Sequence, residues 1–284
     1  MKRPARIFSL AIVVLLMGAW SCTPVKESYL NPKGPNYYGY FAQNTPDYTG
    51  KLKIISYNIQ WSKRINDAIR ELQQEIDLKE ADILLLQEMD PPAVVSIASS
   101  LQYNYILYPA ARYNSKGDEF GNAILTRWPI KSHRKVILPH EHPLKEYHRI
   151  AVFATLEVDE FEVLTCCVHT HTTILGEEKK LDQVQAVVNE IYDNHKYVIV
   201  GGDFNSDTEI NIRKTDLIFS KAGFIRGTKG LGYTTKTGPL GMFKLEMDHI
   251  FIKGLDVVAS GKVETAEASD HLPVWVVVEP EEMP

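Results

Sequence analysis

Apolar and polar positions change period several times along the chain, and each change marks an element. Lys53 to Tyr57 has the pattern of a strand. Beyond it Ile65, Ile69, Leu72 and Ile76 recur at three- to four-residue spacing, which predicts an amphipathic helix over 64–79. Asp82 to Leu86 is apolar throughout after its first residue, as expected of a strand buried on both faces. Further strands are expected at 103–108, 121–126, 149–157 and 161–169. A second helix is predicted over 178–194, with Leu181, Val184, Val188 and Ile191 on one face. Tyr197 to Val200 forms another buried strand and runs into Gly201-Gly202-Asp203-Phe204-Asn205. Strand patterns return at 247–253, 255–260 and 273–278. Strand–helix–strand units mixed with hairpin-like pairs predict an α/β or α+β fold, with two packed mixed sheets flanked by helices.

The first fifty residues follow different rules. Lys2, Arg3 and Arg6 precede an almost wholly apolar run from Ile7 to Trp20, which has the length of a signal-peptide core and is short for a stable membrane span. Gly18, Ala19 and Ser21 lead to Cys22 in a pattern that resembles the lipobox of bacterial lipoproteins; Trp20 is bulkier than that pattern prefers. Residues 1–21 are therefore expected to be removed and Cys22 to carry lipid, which places the mature chain in the cell envelope, periplasmic or surface-facing. Without acylation it would be secreted. Residues 22–50, rich in Pro, Gly, Asn and Tyr, are expected to be a tether and lead-in, partly packed on a domain spanning 51–280.

Charge narrows the partners. Removing Lys2, Arg3 and Arg6 from the 31 basic residues leaves 28 against 36 acidic ones, a balance of −8. No Lys/Arg tract marks a nucleic-acid footprint, which argues against tight, sequence-independent duplex binding, although a bound metal can supply local positive charge. No dedicated protein partner is indicated, and a monomer is expected. Cys166 and Cys167 are neighbours on a strand and face opposite ways, so they are expected to be buried free thiols.

A sparse series of polar residues stands at the ends of the apolar strands: Asn58, Glu88, His169, His171, Asp203, Asn205, Asp248, Asp270 and His271. A sheet core cannot hold such groups unpaired, and convergence in one cleft satisfies them together. Each alone has an ordinary explanation as a turn former, cap or surface residue. Their joint occurrence at successive strand ends points to a site.

Seven segments carry a family resemblance: Ser56-Tyr57-Asn58-Ile59, Leu84-Leu85-Leu86-Gln87-Glu88, Gly121-Asn122-Ala123-Ile124-Leu125, His169-Thr170-His171, Gly202-Asp203-Phe204-Asn205, Met247-Asp248-His249-Ile250 and Ser269-Asp270-His271. The series resembles the endonuclease/exonuclease/phosphatase superfamily, the deoxyribonuclease-I-like fold, and implies a four-layer α-β-β-α sandwich. By that resemblance Asn58, Glu88 and Asp270 would hold a divalent metal, Mg²⁺ or Mn²⁺, which takes oxygen ligands. Asp203 and Asn205 would align the attacking water, His271 would act as acid/base or phosphate ligand, and Asp248 would orient a histidine. His171 occupies a phosphate-contacting or acid/base position. His169 stands where many members have Asn, and either a phosphate contact or a structural role follows. Arg149 either reaches substrate or is solvated. Asn122 either matches a substrate-side position or marks a turn. His249, one residue from Asp248, is expected to face away. His140, His142 and His148 lie in the segment 138–149, expected to be a polar specificity loop, a secondary metal being the other reading.

The activity so implied is hydrolysis of a phosphodiester, in nucleic acid or a phospholipid headgroup. The alternatives are a phosphomonoesterase of inositol or sugar phosphates, and a non-catalytic surface lipoprotein that keeps the fold.

Overall fold

Fourteen strands and four α-helices follow one another in the computed structural model, which describes residues 25–113, 118–172, 176–191, 195–236 and 242–281. The leader, 1–21, and Cys22 lie outside the described residues. In chain order the first half contains β1 (Glu27–Ser28), β2 (Tyr37–Gly39), β3 (Leu52–Asn58), α1 (Ile65–Gln74), β4 (Ile83–Met89), α2 (Pro91–Leu101), β5 (Asn104–Arg112) and β6 (Glu119–Thr126). The second contains β7 (Ile130–Glu141), β8 (His148–Val158), β9 (Phe161–His169), α3 (Glu177–Asn189), β10 (Tyr197–Asp203), α4 (Glu209–Lys221), β11 (Ile225–Arg226), β12 (Asp248–Lys253), β13 (Leu255–Lys262) and β14 (Val274–Pro280).

The strands form two mixed sheets. One has the order β1-β5-β6-β4-β3-β14-β13, with β2 also on β5; the other has the order β11-β12-β10-β9-β8-β7. Each contains one parallel pair, β3/β4 and β9/β10, joined through α1 and α3 respectively. A parallel neighbour requires such a crossover. The sheets face each other across a core that includes Ile54, Leu85, Ile124, Val152, Cys167 and Ile199. Helices α1 and α2 cover the outer face of the first sheet around Leu72, Leu84 and Ile97. Helices α3 and α4 cover the second around Val184, Val198 and Phe219. The layers are thus α-β-β-α, as expected from the sequence. Cys167 enters the inter-sheet core and Cys166 the outer one, both as buried free thiols.

Several local expectations change. Helix α1 ends at Gln74, and Ile76 is 67% exposed rather than on its buried face. Residues 138–149 are not a loop but the end of β7, a tight turn and the start of β8. The lead-in contributes β1 and β2 to the first sheet, and the buried Lys135 amine donates to the carbonyls of Tyr29 (3.0 Å) and Gly34 (3.1 Å). No described helix is long and apolar enough to cross a membrane.

Candidate active site

Topology brings the polar series to one end of both sheets. Asn58 and Glu88 end or nearly end the adjacent parallel strands β3 and β4, with Asn58 opposite Gln87. His169 and Asp203 are register partners at the ends of β9 and β10, and Asp203 is opposite Asp248 at the start of β12. Asp270 and His271 precede β14. Gly201 and Gly202 make this convergence possible. A Cβ on Gly202 would sit 1.8 Å from the Val168 carbonyl oxygen, and one on Gly201 would sit 2.7 Å from Leu85 of the facing sheet.

Asp203 is the hub. Its Oδ2 accepts from Asn58 Nδ2 at 3.0 Å, linking the two sheets, and lies 3.2 Å from His169 Nε2 and 3.7 Å from His271 Nε2. Its Oδ1 accepts from the Asn205 backbone N–H at 2.8 Å. Burial opposes the charge on Asp203. The neighbouring His271, then His169 and the Asn205 N–H, outweigh it and hold the carboxyl well below the usual range.

The histidine protons follow from their partners. Arg149 Nη1 is 3.0 Å from His169 Nδ1, and a guanidinium can only donate, so Nδ1 is the bare nitrogen and Nε2–H donates to Asp203. Burial, then Arg149, depress the pKa of His169 and keep it neutral. His271 is the opposite case. Burial works against its charge, but Asp248, Asp203, the Asp248 hydrogen bond and Asp270 together raise its pKa well above the ordinary value. Its Nδ1–H donates to Asp248, with Oδ2 at 2.9 Å and Oδ1 at 3.1 Å. Burial raises the Asp248 carboxyl, and His271 and the Thr234 hydroxyl (2.6 Å) counter that. The result is a buried imidazolium whose Nε2 edge faces Asp203.

Glu88 is placed by a defect in the sheet. The β4/β6 register slips between Gln87 and Met89, leaving Glu88 unpaired with φ 62°. Such bulges re-aim a side chain. Its Oε2 accepts from the Trp61 backbone N–H at 3.1 Å. Gln60, Trp61 and Ser62 have φ of 31°, 58° and 54°, three successive left-handed non-glycine residues. Such strain persists only where surroundings enforce it. Here Asn58 Oδ1 accepts from Gln60 N–H (3.1 Å), and Ser62 Oγ bonds the Glu88 carbonyl (3.4 Å).

The donor chemistry can be tested for a cation. Asp203, Asp248 and His271 offer ligand atoms within 4.8 Å of one another, the one such group among the described residues. In this group His271 Nδ1 is engaged by Asp248, and Asp203 Oδ2 by Asn58 and His169. The Glu88 side fits better. Glu88 and Asn58 lie near the neighbouring ends of β4 and β3, and Ser269, next to Asp270, donates its hydroxyl to the Asn58 backbone carbonyl at 2.7 Å. That set suits Mg²⁺.

Other residues fall outside this centre. The ring of His171 packs against His142 (5.2 Å) and Tyr147 (5.6 Å), and among the described residues neither of its nitrogens has a partner. Burial, then Arg149, drive its pKa far down. Asn122 donates its amide N–H to the carbonyls of Ile150 (2.9 Å) and Cys167 (3.4 Å), so its Nδ2 ties the two sheets together. Arg149 is buried and acts through His169. His249 faces away from Asp248, with Arg226 Nη1 on its Nδ1 (3.2 Å) and Ser206 Oγ on its Nε2 (2.6 Å). His140 pairs with Asp182, His148 with the Leu138 carbonyl, and His142 Nδ1 with two backbone N–H groups of its turn. They form no secondary metal cluster among the described residues.

Sequence reasoning missed the supports. Thr234 holds Asp248. Ser269 accepts from the His271 N–H at 3.1 Å. Lys180, buried on α3, donates to the carbonyl of left-handed Asn205 at 2.7 Å. Gln183, one turn further on, accepts from the His171 N–H at 2.9 Å. The Ser before Asp270-His271 was the one available signal, as a short side chain capping its own turn.

Comparison with known proteins adds to this geometry. The sequence profile described as the endonuclease/exonuclease/phosphatase family matches residues 55–271. A UPF0294 protein of Vibrio parahaemolyticus is 24% identical over 241 residues, covering 81% of this chain and 78% of the relative. The endonuclease/exonuclease/phosphatase from Bacteroides vulgatus has a TM-score of 0.66 at 17% identity, covering 81% of this chain and 99% of that one. D. rerio TDP2 complexed with single-strand DNA product has a TM-score of 0.63 at 17% identity, with the same two coverages.

Proposed function

The chain belongs to the endonuclease/exonuclease/phosphatase family, and on that premise we propose that it is an exported, Mg²⁺-dependent phosphoesterase that hydrolyses phosphodiester bonds. Members of the family are typically hydrolases of phosphate esters and are generally dependent on a divalent metal. The observation that carries the proposal is the pairing of an ionised, fully engaged Asp203 with a buried His271 imidazolium across 3.7 Å. A carboxylate that can accept a hydrogen bond from water stands beside a cation that can meet a phosphoryl oxygen.

Glu88, Asn58 and Asp270 would hold the cation; when bound, it neutralises phosphoryl charge and stabilises the leaving oxygen. Asp203 orients the attacking water, fixed by Asn58, His169 and the Asn205 N–H. Its depressed basicity makes it a positioning acceptor more than a strong base. His271 donates through Nε2–H to the phosphate, and Asp248 keeps it charged and aligned. His169, neutral and held by Arg149, donates to Asp203 and so holds that carboxylate ionised. The fold shared with D. rerio TDP2, whose structure contains a single-strand DNA product, supports a nucleic-acid diester. The same oxygen donors accept Mn²⁺. The leader and Cys22 support a lipid anchor in the cell envelope.

Assay of the purified mature chain on DNA, RNA, sphingomyelin and inositol phosphates tests this. Turnover of a diester that needs Mg²⁺ and is lost in Asp203→Asn is expected. A folded protein inert on the whole panel refutes it. Cys22→Ser should move the chain from the membrane to the soluble fraction; unchanged membrane association would refute the anchor.

A further inference from the structure

The lead-in ahead of β3 is fixed to the domain along one edge of the first sheet. Strands β1 and β2 pair with β5, and Val25 packs against the inter-sheet core. Phe41 stacks on Tyr105 at 6.1 Å, and the Ala42 N–H donates to Asn104 Oδ1 at 3.2 Å. Yet three large side chains of this stretch stay open: Leu30 is 54% exposed, Tyr38 58% and Tyr40 65%. The two tyrosine rings meet edge-on at 6.0 Å. Lys26 and Lys33, both exposed, bracket Leu30 in the chain. Glu27, the one carboxylate from Val25 to Phe41, is paired with Arg112 at 2.8 Å. The family profile begins at residue 55 and does not include this stretch.

Chain length decides what covers this edge. Cys22 stands three residues before Val25, and three residues reach about 10 Å at most. A lipid on Cys22 therefore holds Val25 within about 10 Å of a bilayer surface, too close for the domain to hang free of it. Exposed tyrosine and leucine beside so short an anchor suit the headgroup boundary, where an apolar body and a polar tip are both satisfied. The lysines give the edge a positive balance in a chain whose mature total is −8, which suits anionic lipid. Strand addition by a second copy is opposed by the edge itself. Strands β1 and β2 are two and three residues long, with Pro32 and Pro35 between them. Anchor and site also share one end of the sheet. Glu27 faces Arg112 at the end of β5, and Gly121 of β6 faces Met89, next to Glu88. From β1 across β5 and β6 to β4 is three strand spacings, about 15 Å.

Resting on the acylation of Cys22 proposed above, we infer that this edge docks on the lipid surface that holds the anchor, with Leu30, Tyr38 and Tyr40 at the headgroup boundary and Lys26 and Lys33 on anionic headgroups. The lead-in is then a seat and not a tether, and the site end of the first sheet is carried close to the membrane.

Two experiments separate the seat from the anchor. The mature Cys22→Ser chain, which carries no lipid, is floated with vesicles of phosphatidylcholine alone and of phosphatidylcholine mixed with phosphatidylglycerol. It should bind the mixed vesicles weakly, at millimolar lipid, and less as salt rises. Lys26→Ala and Lys33→Ala should each lower the partition coefficient about fivefold, the effect of one basic residue near an anionic surface. Tyr38→Ser/Tyr40→Ser should lower it at least about tenfold, with melting unchanged because both sites are exposed. Absence of binding, or equal binding by all these variants, overturns the docking. So does a dimer in sedimentation that the tyrosine variant loses, which would assign the edge to a second copy. In the second experiment the acylated chain sits in vesicles with nitroxide-labelled headgroups. A fluorophore on Tyr40→Cys should be quenched. One on Leu217→Cys, at an exposed position of α4 on the far side of the second sheet, should not. Cys166 and Cys167 are buried and leave the label to the new thiol. Equal quenching at the two positions shows a swinging domain and overturns the inference. Mass spectrometry of the mature N-terminus reads the anchor by itself: lipid without these contrasts sinks the docking alone, and the contrasts without lipid sink only the anchor.

Discussion

Asp248→Asn is the sharpest probe of the centre because it removes one charge and little shape. The imidazole of His271 gives Nδ1–H to Asp248 at 2.9 Å. At an effective dielectric of about 20, that separation corresponds to roughly 6 kcal/mol of attraction before desolvation is subtracted. Burial opposes the imidazolium, so with Asp248 neutral only Asp203 and Asp270 still favour it. The proton should then leave at lower pH. In the proposed mechanism His271 works protonated, so activity should fall as pH rises through its folded pKa, and this alkaline limb should move down by a pH unit or more. Near pH 8 the rate should be about 10²- to 10⁴-fold lower, the usual contribution of a positioned acid, and the deficit should shrink toward pH 5. Stability carries the same sign. A raised histidine pKa stabilises fully below the unfolded value of about 6.5, and that gain is lost as pH rises through the folded pKa. Melting temperature against pH should therefore slope less in the variant above about pH 6.5. Profiles of kcat/KM and melting from about pH 5 to 9 read both. An alkaline limb that stays where the wild type has it would refute the assignment of His271 as the proton donor.

Three further outcomes are expected. Glu88→Gln should weaken Mg²⁺ binding by at least about tenfold in calorimetry, since even outer-shell changes cost that much; unchanged affinity would move the metal elsewhere. Gly202→Ala should fail to fold, or melt at least about 10 °C lower, because its Cβ would fall 1.8 Å from the Val168 oxygen. Burial pushes the Lys135 amine down to about 8, so the wild type should gain stability as pH rises from there toward the unfolded value. Lys135→Met should lack that gain, and identical slopes in the two proteins would show that the amine is solvated.

Strongly patterned elements were legible because burial enforces pattern. Strands β4 and β10 are apolar on both faces, and the site residues that end them stood out against that background. Strand β7 was hidden for the converse reason. It is an edge strand, Ile-Lys-Ser-His-Arg-Lys-Val-Ile-Leu-Pro-His-Glu, with few buried positions and a proline near its end, so no alternation survives. Helix α2 was hidden by composition. It opens on two prolines and carries β-branched residues, and its start is marked by the Asp90 cap on the Ala93 N–H (2.9 Å). Helix α4 was missed as well, its Thr208 cap resembling an ordinary loop residue. At the site, strand-end position flagged Asp203, His271 and Glu88. It could not separate His169, which reaches Asp203, from His171, two residues on, which turns into an aromatic pocket. Nor could it show that Asn122 Nδ2 would tie the two sheets together. Both outcomes depend on contacts more than twenty residues away along the chain.

The bond from Asn58 to Asp203 joins the first sheet to the second. Neither sheet contains the whole site: Glu88 lies on one, with His271 in the loop that leads into its β14, and Asp203, His169 and Asp248 lie on the other. On the proposed function, catalysis is therefore a coincidence detector for docking of the two sheets. A nascent or partly unfolded chain should then be inert however well either sheet has formed, and turnover should report that the last interface has closed. The first sheet takes strands from both ends of the chain, so a cut at the 127–129 junction would leave two fragments that regain activity only on reassembly.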